Sequence, residues 1–473
     1  MLQLDGTTLV VGLGKSGLSM VQALRALSAT VMVADSRRDP PGLAALRAEF
    51  PDLPCHLGSF DPALFAKAAR LLVSPGISVK TPAIAEAAAR GVPVWGDIEL
   101  LARLTQIPVA AITGSNGKST VTTLLGEMVK RAGLHAAVGG NLGTPALDFW
   151  LAEQAGVKAG RALDLYVLEL SSFQLETTDS LNARVATVLN ISPDHMDRYA
   201  TLDDYIAAKR RIFRGDGTMV VNADDPAVMA MVEPGRTVLR FTLMEPAGGE
   251  FGLCREGDET WLAWGRERWI AASELQISGD HNLANALAAL AMGQALGLPR
   301  DPMLTALRDF TGLAHRTTLV LEHAGVRWFD DSKGTNVGAT VAAVRGLPGR
   351  VVLIAGGDGK GQDFTPLRAA LTDKARAVVL IGRDAPLIAA ALGDSVPLHA
   401  AADMAQAVAW AAQLAQAGDS VLLSPACCAS ICSVVMKNVA QSSLRRYAGW
   451  PNAECCCNDG KRRSKPGQVA AHW

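Results

Sequence analysis

The amino-acid sequence predicts an α/β protein of three domains, each built around a mostly parallel sheet. Short runs of β-branched residues alternate with helical stretches, as in TTLVVGLG, TVMVADS and RLLVSPG near the N-terminus. Such alternation is typical of βαβ units. The same rhythm starts again twice further along the chain, and 473 residues are enough for about three domains of ordinary size.

The predicted domain boundaries lie where a new series of alternating strands and helices begins. A second series of strands begins at IPVAAITGSNGKST and includes LDLYVLELSS and TMVVNADD, and a third follows GLAHRTTLV. We therefore predict domains at residues 1–97, 98–312 and 313–473. The first and third are expected to be Rossmann-like, and the central one to be of the phosphate-loop ATPase type.

Charge and composition argue against two classes of partner. The 45 Lys and Arg residues nearly balance 46 Asp and Glu residues, so the chain lacks the basic field that would hold a nucleic acid or an anionic membrane. Its start is unlike a signal peptide, and no stretch offers 18 uncharged apolar residues. We expect a soluble cytoplasmic monomer that binds neither nucleic acid nor membrane.

The first glycine-rich loop, Gly12-Leu-Gly14-Lys-Ser-Gly17, lies between a predicted strand and a predicted helix, and Asp35 ends the next strand. Glycines there permit a tight turn and a close approach of phosphate to a helix N-terminus. The pattern matches the dinucleotide fingerprint, so an NAD-dependent dehydrogenase is one hypothesis. A turn without a ligand is another.

A second loop, TGSNGKST at residues 113–120, also joins a strand to a helix. Its backbone N–H groups can bind phosphate oxygens, the Lys118 ammonium can neutralise phosphate charge, and the Ser119 hydroxyl can bind magnesium. Ile112 stands where the usual Walker pattern has glycine, and a helix start without a nucleotide is the alternative. The residues predicted to bind ATP are Gly114, Ser115, Asn116, Gly117, Lys118, Ser119 and Thr120.

The motifs around and after this loop resemble those of the Mur ligase family, in the same order. They are LELSSFQLE, NISPDHMDRY, YIAAKRRIF, GDHNLANALAA, GLAHR, DDSKGTN and AGGDGKG, and the resemblance covers about residues 7 to 427. It implies an ATP-dependent ligase that joins D-glutamate to UDP-N-acetylmuramoyl-L-alanine through an acyl phosphate, in cytoplasmic synthesis of a peptidoglycan precursor. ATP and two magnesium ions are the implied cofactors. A dehydrogenase would leave the second loop unexplained.

The resemblance implies catalytic roles for Lys118, His195 and Lys209. It also implies that Ser119, Glu169, His195 and Lys209 bind magnesium, and that Lys209 is carbamylated, which would give it oxygen donors. Glu169 and His195 end predicted strands, where α/β sheets bind ligands. Without the resemblance, Glu169 could be a solvated edge carboxylate, His195 a loop histidine and Lys209 a solvated helix lysine.

Further residues are expected to contact ATP. Asn282 and Asn285 share one face of a predicted helix, although helix capping would explain one of them. The resemblance implies Arg316 for the phosphates and Asp331 for the ribose. It also implies a catalytic contact of Lys333 to substrate or phosphate, for which a surface ion pair with Asp331 is the alternative.

The resemblance also implies a set of substrate contacts. The uridine end is expected at the first glycine loop and at the end of the next strand. The two carboxylates of D-glutamate need a cation and hydroxyl donors. The assigned residues are Lys15, Ser16, Ser36 and Arg37 for the uridine nucleotide, Asn141 and Ser171 nearer the reacting end, and Thr335 and Lys360 for D-glutamate.

The C-terminal sequence departs from the family pattern after LLSPA, at about Cys428. The cysteines concentrated there lack the CxxC spacing and the histidine of a zinc site. A reading-frame change in the source gene, or a sequencing error, explains the loss of pattern more simply than a new metal site. We expect about the last twenty residues to be disordered, and D-glutamate binding to be weakened. A catalytically impaired homologue is therefore the alternative to an active ligase.

Overall fold

The computed structural model describes residues 2, 4–156, 162–359 and 361–427. Within these ranges the chain divides into two compact units. One contains residues up to 313 together with 336–346 and 361–363, and the other contains 314–335, 347–359 and the residues from 364 onward. The predicted D-glutamate contact Lys360 and the atypical tail from about residue 428 lie outside the described residues.

The N-terminal part of the first unit is a five-stranded parallel sheet. Its elements are β1 (Thr7–Val11), α1 (Lys15–Ala26), β2 (Thr30–Asp35), α2 (Leu43–Glu49), β3 (Cys55–Leu57), α3 (Pro62–Lys67), β4 (Arg70–Val73), α4 (Pro82–Ala89) and β5 (Val94–Trp95). The strand order is β3-β2-β1-β4-β5. Leu9 and Val11 face one apolar cluster and Val10 faces another, so both faces of the sheet are covered. The order reverses between β1 and β4, which opens a ligand crevice at their carboxyl ends.

The rest of the first unit is built on a nine-stranded sheet in the order β14-β13-β12-β11-β10-β9-β6-β8-β7. Its strands are β6 (Val109–Thr113), β7 (Ala136–Gly140), β8 (Leu165–Glu169), β9 (Val185–Val188), β10 (Thr218–Asn222), β11 (Val238–Phe241), β12 (Glu250–Glu256), β13 (Glu259–Trp264) and β14 (Glu267–Ala271). The pairs β12–β13 and β13–β14 are antiparallel, and the other pairs are parallel.

Helices cover both faces of this sheet. They are α5 (Asp97–Leu104), α6 (Lys118–Arg131), α7 (Ala146–Gly156), α8 (Ser172–Leu175), α9 (Leu202–Arg210), α10 (Pro226–Met229), α11 (Asp280–Leu296) and α12 (Arg300–Asp309). The middle of α11, ALAALAM at residues 286–292, is apolar around its whole circumference and is buried throughout. Within the described ranges, no helix is long and apolar enough to cross a membrane.

The second unit is built on a six-stranded sheet in the order β15-β16-β20-β17-β18-β19. The last elements of the chain are β15 (Thr318–His323), β16 (Val326–Asp330), α13 (Val337–Gly346), β17 (Val351–Ala355), α14 (Thr365–Leu371), β18 (Ala375–Ile381), α15 (Ala385–Leu392), β19 (Leu398–Ala401), α16 (Met404–Leu414) and β20 (Ser420–Leu423). Only β15–β16 is antiparallel among these pairs, and α13 belongs to the first unit by its contacts.

Three parallel-rich sheets confirm the predicted α/β class. The predicted boundaries near residues 97 and 312 stay predictions. Short 3₁₀ helices lie at Arg211–Phe213, Ala272–Glu274 and Gly393–Ser395.

Candidate active site

The predicted phosphate loop follows β6, which lies between β8 and β9 in the nine-stranded sheet. Ile112 pairs with Glu169 at the end of β8, and Thr113 pairs with Val188 at the end of β9. The carboxyl ends of three parallel strands therefore meet at this loop. This is the edge at which α/β sheets bind ligands.

Two glycines give the loop its shape. Gly114 and Gly117 have φ angles of 147° and 83°, values that side chains rarely permit. A Cβ atom at Gly117 would lie 2.2 Å from the Asn285 side-chain oxygen. Among the described residues, no side chain caps the start of α6. A glycine turn leading into such a helix start favours an anion.

Lys118 folds back over the loop from the start of α6. Its Nζ donates hydrogen bonds to the carbonyl oxygens of Gly114 at 2.9 Å and Ser115 at 2.8 Å. The ammonium is therefore held at the phosphate loop, where a cation is needed to neutralise phosphate charge.

The side chains of Ser115 and Asn116 brace the loop itself. The Ser115 hydroxyl donates to the Ser192 carbonyl oxygen at 2.9 Å and lies 3.1 Å from the Tyr205 hydroxyl. The Asn116 backbone N–H donates to Asn190 Oδ1 at 2.8 Å. The Ser115 N–H also donates to the Asn190 carbonyl oxygen at 2.9 Å, so the backbone N–H groups of both residues hold the loop in shape.

Asn336 is a site residue that sequence reasoning missed, although it lies within the quoted DDSKGTN motif. It is 2% exposed, and its Nδ2 donates to Asn116 Oδ1 at 2.9 Å. The Asn116 amide donates back to Asn336 Oδ1 at 3.2 Å. Asn336 Nδ2 also lies 3.3 Å from Asp194 Oδ2. The reciprocal amide pair fixes the side of the phosphate loop.

Glu169 is 3% exposed at the end of β8. Its Oε1 accepts a hydrogen bond from Asn141 Nδ2 at 2.7 Å, which holds Asn141 at this strand end, and the substrate contact of Asn141 stays a prediction. Its Oε2 is buried and has no hydrogen-bond partner among the described residues. An unpartnered buried carboxylate oxygen is costly unless a cation or donor joins it.

Lys209 is 2% exposed, so the solvated-lysine alternative is wrong. Its Nζ donates to the Gly114 carbonyl oxygen at 2.9 Å and lies 4.6 Å from the centre of the Tyr205 ring. Burial, reinforced by the charge of Lys118, moves the pKa of Lys209 well below its usual value, while Asp194 and Glu169 act in the opposite direction. The structure therefore favours a neutral amine at this position.

His195 lies in the loop after β9 with a φ of 58°, a strained value for a histidine. Its backbone N–H donates to Asp194 Oδ1 at 2.9 Å, and its Nε2 lies 3.7 Å from Asp194 Oδ2. The ring packs edge-on against Phe173, with the ring centres 4.7 Å apart. These contacts fix the imidazole at the edge of the sheet that carries the phosphate loop.

The first glycine loop also has the predicted tight geometry. Gly12 has a φ of 89°, and a Cβ at Gly17 would lie 1.9 Å from the Gly12 carbonyl oxygen. The Asp35 carboxylate accepts hydrogen bonds from the Leu13 N–H at 2.7 Å and from Arg37 Nε and Nη2 at 2.8 and 2.7 Å. Burial alone would raise the pKa of Asp35, but these hydrogen bonds outweigh it and lower the pKa. The acid that a dehydrogenase would use for the ribose is already satisfied, which disfavours that hypothesis.

The other predicted uridine contacts lie at the same edge of the five-stranded sheet. Lys15 and Ser36 are exposed, and the Arg37 side chain is half-exposed. The Ser16 side chain lies beside the carboxylate of the buried Asp97. Ser171 forms a capping box with Gln174 at the start of α8.

Asn282 and Asn285 lie in the first turns of α11, and neither caps it, so the capping alternative is wrong. Gly279 is the capping residue, and no described side chain caps this helix. Asn282 Nδ2 donates to the Ser278 carbonyl oxygen at 2.9 Å, and Asn285 Nδ2 lies 3.4 Å from Asn282 Oδ1. Because Asn285 packs against Gly117, the pair lies beside the phosphate loop.

In the second unit, Asp331 lies just past the end of β16. Its Oδ1 accepts from the Thr317 N–H at 3.1 Å and the Thr317 hydroxyl at 3.2 Å, and its Oδ2 accepts from the Ser424 hydroxyl at 2.7 Å. Burial raises its pKa to about 6, against these hydrogen bonds and the charge of Arg316. Among the described residues, no ion pair joins Asp331 to Lys333, which is exposed, so the ion-pair alternative is wrong.

A tight turn carries Lys333 and Thr335 next to Asp331. The Gly334 N–H donates to the Asp331 carbonyl oxygen at 2.7 Å, and the Thr335 N–H to the Lys333 carbonyl oxygen at 2.9 Å. The Ala426 N–H donates to the Gly334 carbonyl oxygen at 2.9 Å, so the end of β20 supports the turn.

Three family models match consecutive parts of the chain. They are a Mur ligase MurD-like N-terminal domain at residues 6–96, a Mur ligase middle domain at 112–293 and a Mur ligase glutamate ligase domain at 315–427. Among solved structures, UDP-N-acetylmuramate-alanine ligase MurC from Thermotoga maritima has a TM-score of 0.57 and 17% identity, covering 94% of this chain and all of its own. MurF from Acinetobacter baumannii has the same TM-score and identity, covering 92% of this chain and 90% of its own. These two structures support the fold.

Curated relatives of much higher identity carry one name. UDP-N-acetylmuramoylalanine--D-glutamate ligase from Nitrosococcus oceani is 56% identical over 427 residues, which are 90% of this chain and 92% of the relative. The ligase of the same name from Pseudomonas aeruginosa is 53% identical over 427 residues, 89% of this chain and 93% of the relative. The chain therefore belongs to the Mur ligase family, in the branch of the UDP-N-acetylmuramoylalanine--D-glutamate ligases.

Proposed function

We propose that this chain joins D-glutamate to UDP-N-acetylmuramoyl-L-alanine with the hydrolysis of ATP, a cytoplasmic step of peptidoglycan precursor synthesis. The observation that carries the proposal is the cluster of Lys118, Glu169 and Lys209 around a glycine-rich phosphate loop. A dehydrogenase has no use for such a cluster. Relatives more than half identical over about nine tenths of the chain bear the corresponding name.

The first chemical step transfers a phosphoryl group. The carboxylate of the L-alanyl group attacks the γ-phosphorus of ATP, the bond to the bridging oxygen breaks, and an acyl phosphate and ADP form. Both reactants are anions, so a fixed cation between them lowers the barrier. Lys118 is the candidate, because its ammonium needs only to exchange a loop carbonyl for a phosphate oxygen.

In the second step the amine of D-glutamate attacks the acyl carbon. A tetrahedral intermediate forms and expels phosphate, and loss of a proton from nitrogen leaves the amide. Because water would hydrolyse the acyl phosphate, the site must exclude it. We assign Lys333, whose side chain is exposed, to the bound substrate or the phosphates, and Thr335 and Lys360 to D-glutamate. Ammonium and hydroxyl groups suit carboxylates and phosphate.

ATP and magnesium are the cofactors of such a ligase, and the described residues fit the cation. Among them, no three His, Cys, Asp or Glu side chains form a complete metal site. The buried Glu169 Oε2 nevertheless lacks a partner, and magnesium prefers oxygen ligands shared between protein and phosphate. Ser119, Glu169, His195 and Lys209 would hold it. When bound, magnesium neutralises phosphate charge.

We propose further that Lys209 carries a carbamate. A buried neutral amine can attack carbon dioxide, form an N–C bond and release one proton, which leaves a carboxylate-like group whose single negative charge is shared by two oxygens. Carbon dioxide depletion should lower activity and bicarbonate should restore it. Acetate should rescue Lys209→Ala but not Lys118→Ala, the matched control. A wild type that ignores bicarbonate would contradict the carbamate.

The remaining assignments rest on the resemblance of the motifs to those of the family. We assign ATP to Gly114, Ser115, Asn116, Gly117, Lys118, Ser119, Thr120, Asn282, Asn285, Arg316 and Asp331. We assign the nucleotide sugar to Lys15, Ser16, Ser36, Arg37, Asn141 and Ser171.

A phosphate-release assay tests the proposed function. Release should require ATP, magnesium, UDP-N-acetylmuramoyl-L-alanine and D-glutamate together, and each is omitted in turn. L-Alanine and a diamino acid in place of D-glutamate are the controls for the amino acid. Release without the nucleotide sugar, or preference for another amino acid, would overturn the assignment. We also propose a monomer, which analytical ultracentrifugation would test.

A further inference from the structure

Two buried acids occupy the first turn of α5, the helix that joins the five-stranded sheet to the nine-stranded sheet. Asp97 and Glu99 are each 1% exposed. Buried carboxylates are costly unless hydrogen bonds compensate them. Both are compensated, in part by groups from α8 and the loop that follows it, but only one of them leads to predicted substrate contacts.

Asp97 lies in the middle of a chain of polar side chains. Its Oδ2 accepts a hydrogen bond from Gln174 Nε2 at 3.0 Å, and the Ser16 side chain lies beside its carboxylate. Gln174 Oε1 in turn accepts from the Ser171 N–H at 3.1 Å and the Ser171 hydroxyl at 3.2 Å. The series Ser16–Asp97–Gln174–Ser171 therefore connects the loop after β1 with the loop after β8.

The segment before α5 is packed closely against the end of α8. A Cβ at Gly96 would lie 2.2 Å from the Thr177 hydroxyl, so the segment before α5 packs directly on the end of α8. Ser171 follows Glu169 by two residues. A shift of α8 would therefore reach the strand end that carries Glu169.

We propose that Asp97 is a positioning residue that fixes the loop for the uridine nucleotide relative to the loop beside the reacting carboxylate. The inference rests on the proposed function, because Ser16 and Ser171 contact the nucleotide sugar only under it. The nucleotide sugar touches both loops, so binding at the uridine end orients the distant carboxylate. A misplacement of about 1 Å at a reacting centre costs on the order of 100-fold in rate.

Glu99 supplies a matched control. It lies on the same helix, is equally buried, and accepts from the N–H groups of Asp179 and Ser180 at 2.6 and 2.8 Å. It bonds also to Arg103 but to none of the predicted substrate residues. Glu99→Gln should therefore report the stability cost of disturbing α5 without the cost of losing the connection.

The test measures kinetics, binding and thermal unfolding of the full-length variants. Asp97→Ala should lower kcat/KM for the nucleotide sugar about 10- to 100-fold and leave KM for ATP within about twofold. It should weaken binding of the whole nucleotide sugar more than binding of UDP. Asp97→Asn should recover most of the loss, because its carbonyl oxygen can still accept from Gln174. Glu99→Gln should change the melting temperature only.

A double-mutant cycle separates positioning from general damage. Ser16→Ala and Ser171→Ala should be non-additive in the wild type and additive when Asp97 is alanine. Gln174→Ala removes the hydrogen bonds to Asp97 and Ser171, and it replaces Asp97→Ala in the test if that variant does not fold. Equal kinetic effects at Asp97 and Glu99, or an additive cycle in the wild type, would overturn the inference. A wild type that neither binds nor converts the nucleotide sugar would instead overturn the proposed function.

Discussion

Replacing Lys118 with alanine should remove most of the phosphoryl-transfer step and little else. Its ammonium donates hydrogen bonds to two carbonyl oxygens of the phosphate loop, at 2.9 and 2.8 Å. A preorganised cation or donor at developing charge is worth about 3 to 4 kcal/mol, which corresponds to roughly 100- to 1,000-fold in kcat. Alanine is the best helix former, so α6 should keep its start.

Single-turnover measurement of acyl-phosphate formation reports this loss, and calorimetry with the nucleotide sugar reports binding. Binding should stay within about twofold, since the uridine loop follows a strand of a different sheet. Lys130→Ala, an exposed position on the same helix, is the matched control and should leave both quantities unchanged. Loss of nucleotide-sugar binding in Lys118→Ala, or a fall in kcat of less than tenfold, would refute the reasoning.

Two further substitutions test the buried carboxylates. Glu169→Gln keeps an acceptor for Asn141 but removes the charge from the unpartnered oxygen. Magnesium affinity in the activity assay should therefore fall about 10- to 100-fold without loss of thermal stability. An unchanged magnesium titration would contradict this expectation. Asp331 has a pKa of about 6 when folded and 3.8 in the reference state, so the folded chain holds the proton more tightly. The free energy of unfolding should therefore fall by up to about 3 kcal/mol between pH 4 and 6. Urea unfolding of Asp331→Asn should lack this slope, and an identical slope in both proteins would rule the assignment out.

The order of strands and helices could be predicted because each buried strand is a short β-branched run followed by a polar or glycine turn. VAAIT before the phosphate loop and LYVLE before the next site residue show the pattern clearly. The extension of the central sheet by the antiparallel strands β12 to β14 was not predicted. In β12, the successive residues Phe251, Gly252 and Leu253 are all buried, so burial does not follow the regular alternation of a half-exposed strand.

The phosphate loop could be predicted because its chemistry is local in sequence, whereas its supports are not. Asn116 is paired with Asn190, 74 residues away, and with Asn336, 220 residues away. No periodicity reports such pairings. The burial of Lys209 could not be predicted from the sequence either, since its neighbours Arg210 and Arg211 suggest a solvated helix face.

Two hydrogen-bonded pairs near the predicted substrate contacts could have been predicted from residues close together in the sequence. Ser171 and Gln174 form the S-x-x-Q pattern of a capping box, which predicts the observed hydrogen bonds. Arg37, two residues after Asp35, could reach that carboxylate within the turn. Because Arg37 pairs with Asp35, that carboxylate is already satisfied, and the dinucleotide fingerprint does not indicate a dehydrogenase here.

The pairing of Asn116 with Asn336 has a consequence for synthesis on the ribosome. The phosphate loop emerges 220 residues before the amide that holds its side. At about 5 to 20 residues per second, the loop waits roughly 10 to 45 seconds for that partner. A nascent chain can therefore form the contacts of Asn190 and Ser192 with the loop well before the Asn336 contact, and it should gain full nucleotide affinity only late in translation.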